Sequence, residues 1–372
     1  MKRHGVFIAL LCCFVATTPA RSDVIPEGLR DPEDGQLDAS EVLKKGGFIP
    51  VPIIITEPAV EGGLGLAAAF LTQPERGDQN EPARSFLGYA ETGNGSQMGF
   101  AARLGSLANG DLKYRVVAAA GSINLEFFPT SSDRGLAFNN EAIYGHVDLR
   151  HRLGDSRFFL GATATLLDTK VTPDFGEGLP LPPNLSSDLT LNAIGLAGHY
   201  DSRDNILTPR NGLNANFGLQ RYDDAVGSDA DFTAIDLFAA YFRSPDPQWT
   251  YAGMINVTGT DGDAPFFMEP SINIRGVPYN RYQGDRVISA ELEVRRQINP
   301  RWAVVGFAGY GRATSNGAPD ISSDRNATGF GAGVRYRIAR KFGLDMGIDI
   351  ARGPEDTVIY IQFGHAWSFR MD

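Results

Sequence analysis

Apolar and polar side chains alternate along several long stretches of the chain, and this alternation restricts the folds that the chain can adopt. In residues 342–350 one parity consists of Phe342, Leu344, Met346, Ile348 and Ile350. The other parity consists of Gly343, Asp345, Gly347 and Asp349. A period of two residues is typical of a β-strand with one apolar face. Residues 328–338, 287–297 and 212–220 repeat the pattern, which predicts an all-β protein.

Sixteen segments of the chain have strand character. Tight turns such as Asn299-Pro300 alternate with longer connections, notably residues 172–186 and 260–284. With an even number of antiparallel strands, the start of the first strand and the end of the last strand lie at the same edge of the sheet. The predicted strands are 50–57, 62–71, 84–92, 96–106, 112–128, 138–152, 156–171, 187–202, 211–222, 230–243, 248–259, 285–297, 301–312, 326–339, 342–352 and 356–369.

The first twenty residues have the features of a secretory signal. Lys2 and Arg3 precede an apolar run that ends at Ala16, and Thr18-Pro19-Ala20 offers small residues for cleavage. Both cysteines of the chain lie inside this segment. The mature chain therefore has no disulfide, and a closed ladder of backbone hydrogen bonds is one way to stabilise such a secreted protein.

Composition narrows the class of protein further. Outside the signal, no stretch approaches the 18 apolar residues of a spanning helix, and the mean hydropathy is only -0.17. A formal net charge of -10 does not indicate a nucleic-acid-binding protein, because such proteins carry a basic surface. A soluble β-sandwich also alternates, but repeated alternation after a secretory signal favours a transmembrane antiparallel β-barrel, in which every second residue faces lipid. We therefore expect a location in the bacterial outer membrane, in contact with its lipid.

The C-terminus carries a second indication of such a barrel. Trp367 and Phe369 are two residues apart, so in a strand both rings lie on one face and Gly364 lies on the other. Aromatic side chains are enriched at the membrane interfaces of outer-membrane barrels. The pattern predicts a last strand that continues to Phe369, with both rings in the interfacial girdle.

Neighbouring strands near the C-terminus place opposite charges on the inner face. If a turn at residues 339–341 joins two strands, inward Arg335 falls opposite inward Asp345, and Arg337 lies on the diagonal. We expect a modest attraction between these side chains across a partly wet lumen.

A polar lead-in, residues 21–48, separates the signal from the barrel, which we assign to residues 49–372. Residues 38–41, Asp-Ala-Ser-Glu, are similar to a capping box and predict a short helix through Lys45. A flexible segment is the alternative. The acidic residues between 31 and 38 suggest calcium superficially, but their spacing does not match an EF-hand loop, so we expect no metal.

Ile274-Arg275-Gly276-Val277 lies between the eleventh and twelfth predicted strands. It resembles the Val-Arg-Gly-Phe/Tyr motif of the outer-membrane assembly-factor superfamily, the BamA/TamA type, also called bacterial surface antigen. The superfamily has this motif in extracellular loop six of a sixteen-stranded barrel, the place that our strand count gives it. Residues 200–212 and 47–52 are also similar to the family, and the resemblance covers residues 44–369.

The resemblance implies that loop six folds inward and that Arg275 meets acidic residues of strands twelve and thirteen. A buried guanidinium is costly unless it meets a carboxylate, to which it can donate two parallel hydrogen bonds. Glu293 matches the acid of strand twelve, and Glu291 shares its face. Gly309 stands where the acid of strand thirteen is expected. We therefore expect fewer contacts than in the family, and the alternative is an exposed Arg275.

The resemblance also implies a function. It indicates a role in the insertion or translocation of outer-membrane components, through a weak seam between the first and last strands. Residues 21–48 are too few for a POTRA domain, so we expect a short member that lacks POTRA domains. Its partners would be nascent outer-membrane proteins or a separate periplasmic protein. The alternative is a passive pore or a structural barrel without insertase activity.

The mature sequence has none of the common catalytic motifs. It contains no Gly-x-Ser-x-Gly, no His/Cys metal spacing and no Walker glycine loop. We therefore expect that the protein is not an enzyme and that it uses no cofactor.

Overall fold

The structure is a computed structural model that describes residues 25, 27–44, 49–55, 57–72, 83–127, 135–173, 188–315 and 325–368. These residues form an antiparallel β-barrel. Its strands are β1 (Ile49–Ile55), β2 (Gly63–Thr72), β3 (Ala83–Thr92), β4 (Gln97–Leu107), β5 (Leu112–Phe127), β6 (Leu136–Arg152), β7 (Phe158–Pro173), β8 (Asp188–Thr190), β9 (Ala193–Asp201), β10 (Gly212–Tyr222), β11 (Phe232–Arg243), β12 (Trp249–Gly262), β13 (Arg286–Gln297), β14 (Trp302–Thr314), β15 (Arg325–Ala339), β16 (Leu344–Arg352) and β17 (Thr357–Phe363).

Successive strands from β1 to β17 pair antiparallel, apart from β8 and β9, which do not pair with each other. Strands β8 and β9 both pair with β7 and correspond to the single predicted strand 187–202, so the barrel has sixteen strand positions. The interruption falls at Leu191 and Asn192. There the Asn192 side chain donates to the carbonyl oxygen of Val226, in the connection between β10 and β11. The all-β barrel prediction is confirmed.

Helical structure among the described residues is limited to short segments. The α-helix α1 spans Ser40–Lys44, and 3-10 turns occupy Glu27–Leu29, Pro58–Val60, Ala108–Gly110, Asp224–Val226, Phe266–Met268 and Arg340–Phe342. No helix among the described residues has the length and hydrophobicity needed to cross a bilayer. Helix α1 is part of the range predicted to be helical, and Lys45, its predicted end, lies outside the described residues.

The outer surface of the barrel is apolar and its inner surface is polar. Leu64, Leu292 and Phe330 point outward with 70%, 68% and 58% of their surface exposed. Asp345 and Asp349 point inward and are buried. This arrangement is the one expected when the outward side chains contact lipid. The alternation read from the sequence therefore assigns the two faces of these strands correctly.

The two terminal strands, β1 and β17, meet at a seam. Their backbones approach each other, but no strand pairing joins them among the described residues. Both strands are short, with seven residues each. The barrel is therefore nearly closed, and its seam is the least connected boundary between neighbouring strands.

The last strand is shorter than the sequence pattern indicates. Strand β17 ends at Phe363, because Gly364 adopts a left-handed φ of 76° and turns the chain inward. The amide of Gly364 donates to Asp345, and that of His365 donates to the carbonyl oxygen of Leu207. Trp367 consequently lies in the lumen with 5% of its surface exposed, so its predicted place in the girdle is wrong. Phe369 lies outside the described residues.

The register of β15 and β16 also differs from the prediction. The connection is a 3-10 turn followed by Gly343 at φ 65°, and the pairing shifts between Arg337 and Ala339. Arg337, rather than Arg335, is therefore opposite Asp345, and the two side chains form an ion pair. Both arginines point into the lumen as predicted, but the assigned opposition of Arg335 to Asp345 is wrong.

Candidate functional site: loop six in the barrel lumen

Loop six, residues 263–285 between β12 and β13, folds into the barrel. Its two arms pair through Ile272, whose amide donates to the carbonyl oxygen of Tyr282 at 2.9 Å. The apolar side chains of Ile272, Ile274 and Val277 are buried in a cluster with inward residues of the barrel wall such as Phe238. Burial of these three side chains provides the free energy that holds the loop inside, since each is worth about 1.5–3 kcal/mol when removed from water.

Arg275, near the tip of loop six, meets three carboxylates. Its Nε and Nη2 atoms both donate to Oε1 of Glu291, at 2.9 and 2.6 Å. Nη2 also lies 2.8 Å from Oε2 of Glu293, and Nη1 donates to Oδ2 of Asp349 at 2.9 Å. The Arg275 amide donates to the second oxygen of Glu291 at 3.0 Å. We call these four residues the arginine cluster. A buried guanidinium needs such compensation.

Aromatic side chains enclose the arginine cluster. The guanidinium carbon of Arg275 lies 3.6 Å from the ring centre of Phe307, a distance at which a cation is attracted to the ring face. Trp367 donates from Nε1 to Oε1 of Glu291 at 3.2 Å. His365 Nε2 lies 3.2 Å from Oε1 of Glu293. The segment after β17 is therefore part of the same cluster as loop six.

The structure brings together the residues predicted to form the motif and its partners. Arg275, Glu291 and Glu293 are in contact, and Ile274 and Val277 are buried beside them. Gly276 has a left-handed φ of 94°, and a Cβ there would lie 3.0 Å from backbone atoms of Arg352 and Gly353. These features explain the need for glycine at this position of the motif.

Sequence reasoning missed Asp349 as the third acid. Asp349 lies on β16, whereas Gly309 lies on β14. The sequence indicated only that Asp349 faces inward, because it lies at a polar position of an alternating strand. A Cβ at Gly309 would stand 3.3 Å from Cγ of Glu291 and from Cβ of Ile274. Gly309 therefore makes room for the loop, while Asp349 supplies the charge. Asp349 thus gives Arg275 a third carboxylate contact, which was not predicted.

Loop six forms hydrogen bonds with both sides of the seam. The Tyr279 amide donates to Oε1 of Glu57, which follows β1, at 3.0 Å. The Gly276 amide donates to the hydroxyl oxygen of Tyr360, on β17, at 3.0 Å. A cavity of about 110 Å³ lies among Glu57, Tyr279 and Tyr360. Burial raises the pKa of Glu57, although the amides of Tyr279 and Ala59 oppose the shift.

The connection between β16 and β17 also contacts loop six. Tyr282 donates from its hydroxyl to Oε1 of Glu355, and Arg281 Nε lies 3.3 Å from the same oxygen. A Cβ at Gly353 would lie 1.8 Å from the carbonyl oxygen of Gly276, so only glycine permits this approach. The loop therefore contacts Tyr360 of β17 and also the connection that precedes this strand.

A turn at the opposite mouth reaches across the barrel. Residues 202–211 connect β9 and β10. The side chain of Asn205 donates to the carbonyl oxygen of Phe342 at 2.9 Å, and Leu207 accepts from the His365 amide at 2.7 Å. This turn thus contacts the segment that carries Trp367, and it links the β9–β10 side of the wall to the seam side.

The acidic lead-in contacts turns at the same mouth. Arg301 donates to Asp31, to Asp34 at 2.6 Å and to Asp38 at 2.8 Å. Burial opposes ionisation of Asp38, but hydrogen bonds from Ser40, Arg340 and Arg301 outweigh it and lower the pKa to about 2. The hydrogen bond from Arg301 likewise lowers the pKa of Asp34. These carboxylates compensate an arginine rather than forming a set of metal ligands.

A separate group of carboxylates lies in the connection between β10 and β11. Asp223, Asp224 and Asp231 place oxygen atoms within 4.8 Å of one another. Arg221 lies 2.8 Å from Asp223 and 3.7 Å from Asp231, so this exposed group is already compensated by a cation. This group of carboxylates is therefore not evidence for a bound metal.

Comparisons with known proteins agree with this architecture. The family described as outer membrane protein beta-barrel domain matches residues 184–369. BamA from Haemophilus ducreyi lacking POTRA domains 1-3 is similar in structure, with a TM-score of 0.57, 12% identity, and coverage of 92% of this chain and 82% of that one. A search of curated proteins found no match.

Two CdiB structures are also similar. CdiB from Escherichia coli has a TM-score of 0.58 and 12% identity, with 84% of this chain and 61% of that chain covered. CdiB from Acinetobacter baumannii has a TM-score of 0.55 and 11% identity, with 85% and 59% covered. The chain thus spans about three fifths of these CdiB chains.

At such identities the likeness establishes the fold, a barrel of the BamA type. The family match, the apolar exterior and the barrel architecture together place the protein in the bacterial outer membrane. The chain belongs to the outer membrane protein beta-barrel domain family.

Proposed function

We propose that this barrel aids the insertion or translocation of outer-membrane components by opening at the seam between β1 and β17. The observation that carries the proposal is the position of loop six. Its amides donate to Glu57 on one side of the seam and to Tyr360 on the other. The loop is therefore placed to hold the seam closed in one state and to release it in another.

The low connectivity of the seam supports the proposal. The other boundaries between neighbouring strand positions are joined by antiparallel ladders, whereas β1 and β17 share no pairing among the described residues. An unpaired backbone edge in a bilayer costs several kcal/mol for each unsatisfied group. Such an edge favours the entry of another extended chain, because the incoming strand can satisfy those groups.

The entry of loop six into the lumen is also more consistent with a gated barrel than with an open pore. Loop six, the segment after β17 and the turn at residues 202–211 all converge on the interior. The partners that this proposal implies are unfolded outer-membrane polypeptides, a separate periplasmic protein and the surrounding lipid. BamA and CdiB, the structural neighbours, share the barrel at low identity.

Reconstitution in liposomes tests the proposal. Purified protein is placed in the bilayer, and the folding rate of a second, urea-denatured outer-membrane barrel is followed by its change in electrophoretic mobility. We expect folding at least tenfold faster than in empty liposomes. Arg221→Ala, a change in an exposed ion pair far from the seam, is the matched control and should retain this effect. Ion conduction without faster folding would instead establish the passive pore.

A further inference from the structure

The outer face of the barrel carries two arginines at the mouth that holds the lead-in. Strand β11 ends at Arg243, β12 begins at Trp249, and Arg296 is the penultimate residue of β13. In the ladders, Arg243 is opposite Tyr251 and Arg296 is opposite Trp249. These four residues thus lie side by side at the same ends of three adjacent strands, and we call them the rim patch.

All four side chains of the rim patch point away from the lumen. Tyr251 has 48% of its surface exposed, and Val294, opposite it on β13, is exposed as well. Residues that are opposite each other in a ladder share a face, as do residues two positions apart in one strand. Arg243 therefore shares the outward face of Tyr251, and so do Trp249 and Arg296. The rim patch belongs to the face of the barrel that contacts lipid.

Aromatic side chains place the rim patch at the level of the lipid headgroups. On the next two strands, Trp302 and Tyr336 are opposite each other on the outer face, with ring centres 4.9 Å apart. Such residues form the girdle of an outer-membrane barrel at the membrane interface. Arg301, which precedes Trp302, contacts the lead-in. This mouth is opposite to loop six, so the rim patch meets the periplasmic leaflet when loop six is extracellular.

The charge of the rim patch is positive. Arg243 and Arg296 are exposed, and among the described residues neither is in ion-pair contact with a carboxylate. Asp246 is the one acid in the connection between β11 and β12. Arg210 donates to the carbonyl oxygens of Asp246 and Pro247 and thus brings a third cation to this connection. Arginines therefore outnumber carboxylates here, at a surface that lies against lipid.

The two aromatic rings of the rim patch lie on the strand between its two arginines. The guanidinium carbon of Arg296 is 5.4 Å from the ring centre of Trp249, and the rings of Trp249 and Tyr251 are 6.3 Å apart and nearly parallel. With strands about 4.8 Å apart and a rise of about 3.3 Å per residue, the Cα atoms of Arg243 and Arg296 are about 12 Å apart. Two extended arginine side chains bridge this distance, so both guanidinium groups can contact one anion above the rings.

We infer that the rim patch is a binding site for the headgroup phosphate of an anionic phospholipid, such as phosphatidylglycerol. A guanidinium donates two parallel hydrogen bonds to a phosphate. The amphipathic rings of Trp249 and Tyr251 pack against the glycerol backbone at the interface. The acyl chains then lie along exposed apolar side chains such as Leu292. A zwitterionic lipid carries an ammonium group beside its phosphate, which the two arginines repel, so the site selects lipids with a net negative charge.

The lipid site is separate from the seam. It lies on the tenth to twelfth of the sixteen strand positions, whereas the seam lies between the first and the last. A lipid bound at the rim patch would hold this part of the wall at a fixed depth in the bilayer. The inference holds whether or not the seam opens, and its test does not use the folding assay.

Fluorescence quenching identifies the lipid that contacts Trp249. The chain has three tryptophans, of which Trp367 lies in the lumen, so Trp302→Phe leaves Trp249 as the lipid-facing one. This full-length variant is placed in phosphatidylcholine vesicles that contain a minor fraction of a lipid brominated near the headgroup end of its acyl chains, which quenches tryptophan on contact. We expect brominated phosphatidylglycerol to be enriched about fivefold over brominated phosphatidylcholine. Brominated phosphatidylethanolamine, which is zwitterionic, should show no enrichment.

Charge variants in the Trp302→Phe background test the two arginines. Arg243→Gln with Arg296→Gln should abolish the enrichment of phosphatidylglycerol. Arg243→Lys with Arg296→Lys should retain part of it, because the charges remain but the forked geometry is lost. Arg103→Gln is the matched control, since Arg103 is exposed on β4, near the same mouth, and donates to Ser85 at 2.7 Å. This control should retain the full enrichment.

Resistance to SDS before boiling establishes that each variant is folded. An increase in salt from about 0.1 M to about 1 M shortens the screening length from about 10 Å to about 3 Å, and it should weaken the enrichment at the intact rim patch. Equal quenching by the three brominated lipids would overturn the inference, as would enrichment that persists in the Arg243→Gln, Arg296→Gln variant. A loss in Arg103→Gln as large as in that variant would indicate attraction to any outward cation and would also overturn it.

Discussion

Arg275 and Asp349 are 74 positions apart in the chain, yet Nη1 of the guanidinium donates to Oδ2 of the carboxylate at 2.9 Å. The contact joins loop six to β16, the neighbour of β17. Asp349 also accepts from Arg335, so it is shared by a loop arginine and a wall arginine. Any movement of loop six out of the lumen must break this contact and expose or re-pair a buried carboxylate.

Replacement of Arg275 by Ala should destabilise the barrel. The change leaves Glu291, Glu293 and Asp349 buried without their common cation, and removal of one partner from a buried ion pair costs about 3–5 kcal/mol. Arg275→Lys keeps the charge but loses the forked geometry, so its effect should be intermediate. Thermal unfolding and the protease sensitivity of residues 263–285 measure both effects.

Arg221→Ala is the control for this comparison, because loss of an exposed ion pair costs at most about 1 kcal/mol. If Arg275→Ala is as stable and as resistant to protease as the control, the arginine cluster does not hold loop six in the lumen.

Trp367→Phe should weaken the arginine cluster, although an aromatic ring still fills most of the volume of the Trp367 side chain. The variant keeps the aromatic packing but loses the indole N–H that donates to Glu291, and a hydrogen bond to a charged group contributes about 1.5–3 kcal/mol. Trp302→Phe, on the exposed outer face, should have a smaller effect on the thermal midpoint. Equal midpoints for the two variants would argue against a structural role for the Trp367 hydrogen bond.

The base of loop six should loosen as the pH rises. Burial and the nearby charge of Asp285 raise the pKa of Glu269 from 4.5 to about 7, with Arg325 opposing the shift. A raised carboxyl pKa contributes stability that is complete below the unfolded value and is lost as pH rises through the folded value. Protease cleavage within residues 263–285 should therefore increase between pH 5 and pH 8. Glu269→Gln should abolish this dependence, and persistence of the dependence in that variant would assign it to another group.

Arg301→Ala should release the lead-in from the barrel. The guanidinium contacts Asp31, Asp34 and Asp38, and its loss leaves these carboxylates without their main cation. Because the pKa of Asp38 is lowered to about 2, its contribution is present above the unfolded value of 3.8 and is lost only as pH falls through about 2. Trypsin cleavage after Arg30 should be slow at neutral pH in the wild type and fast in the variant. Equal cleavage rates would show that the contacts of Arg301 do not restrain the lead-in.

The regular part of the fold was accessible from the sequence because strand alternation is a local signal. The outward leucines and isoleucines and the inward Asp345 and Asp349 follow directly from parity. The register around Arg337 was not accessible, because it depends on the 3-10 turn and on the irregularity before Ala339. A shift of this kind changes which charges meet without changing which face they occupy.

The candidate site could also be predicted only in part, because some of its contacts join distant parts of the chain. Glu293 was found because it matches the acid that the family has on this strand, and Glu291 was found because it shares the inward parity of Glu293. Asp349 was missed as a partner because contacts across the lumen between β13, β16 and a loop depend on the closed barrel. Trp367 was placed in the wrong environment because a left-handed Gly364 ends β17 before the aromatic pattern is complete.

Restraint of loop six at the seam tests most directly whether movement of this loop opens the barrel. In Glu57→Cys with Tyr279→Cys, a short, reducible bis-maleimide joins the loop to the end of β1, at a place where the native backbone amide donates to the carboxylate at 3.0 Å. The folding rate of a second barrel in liposomes is then measured before cross-linking, after it and after reduction, with each single-cysteine variant as control. Cross-linking should reduce this activity at least tenfold, and reduction of the cross-link should restore it. An activity that is unchanged by the cross-link would contradict the role of loop six in opening the seam.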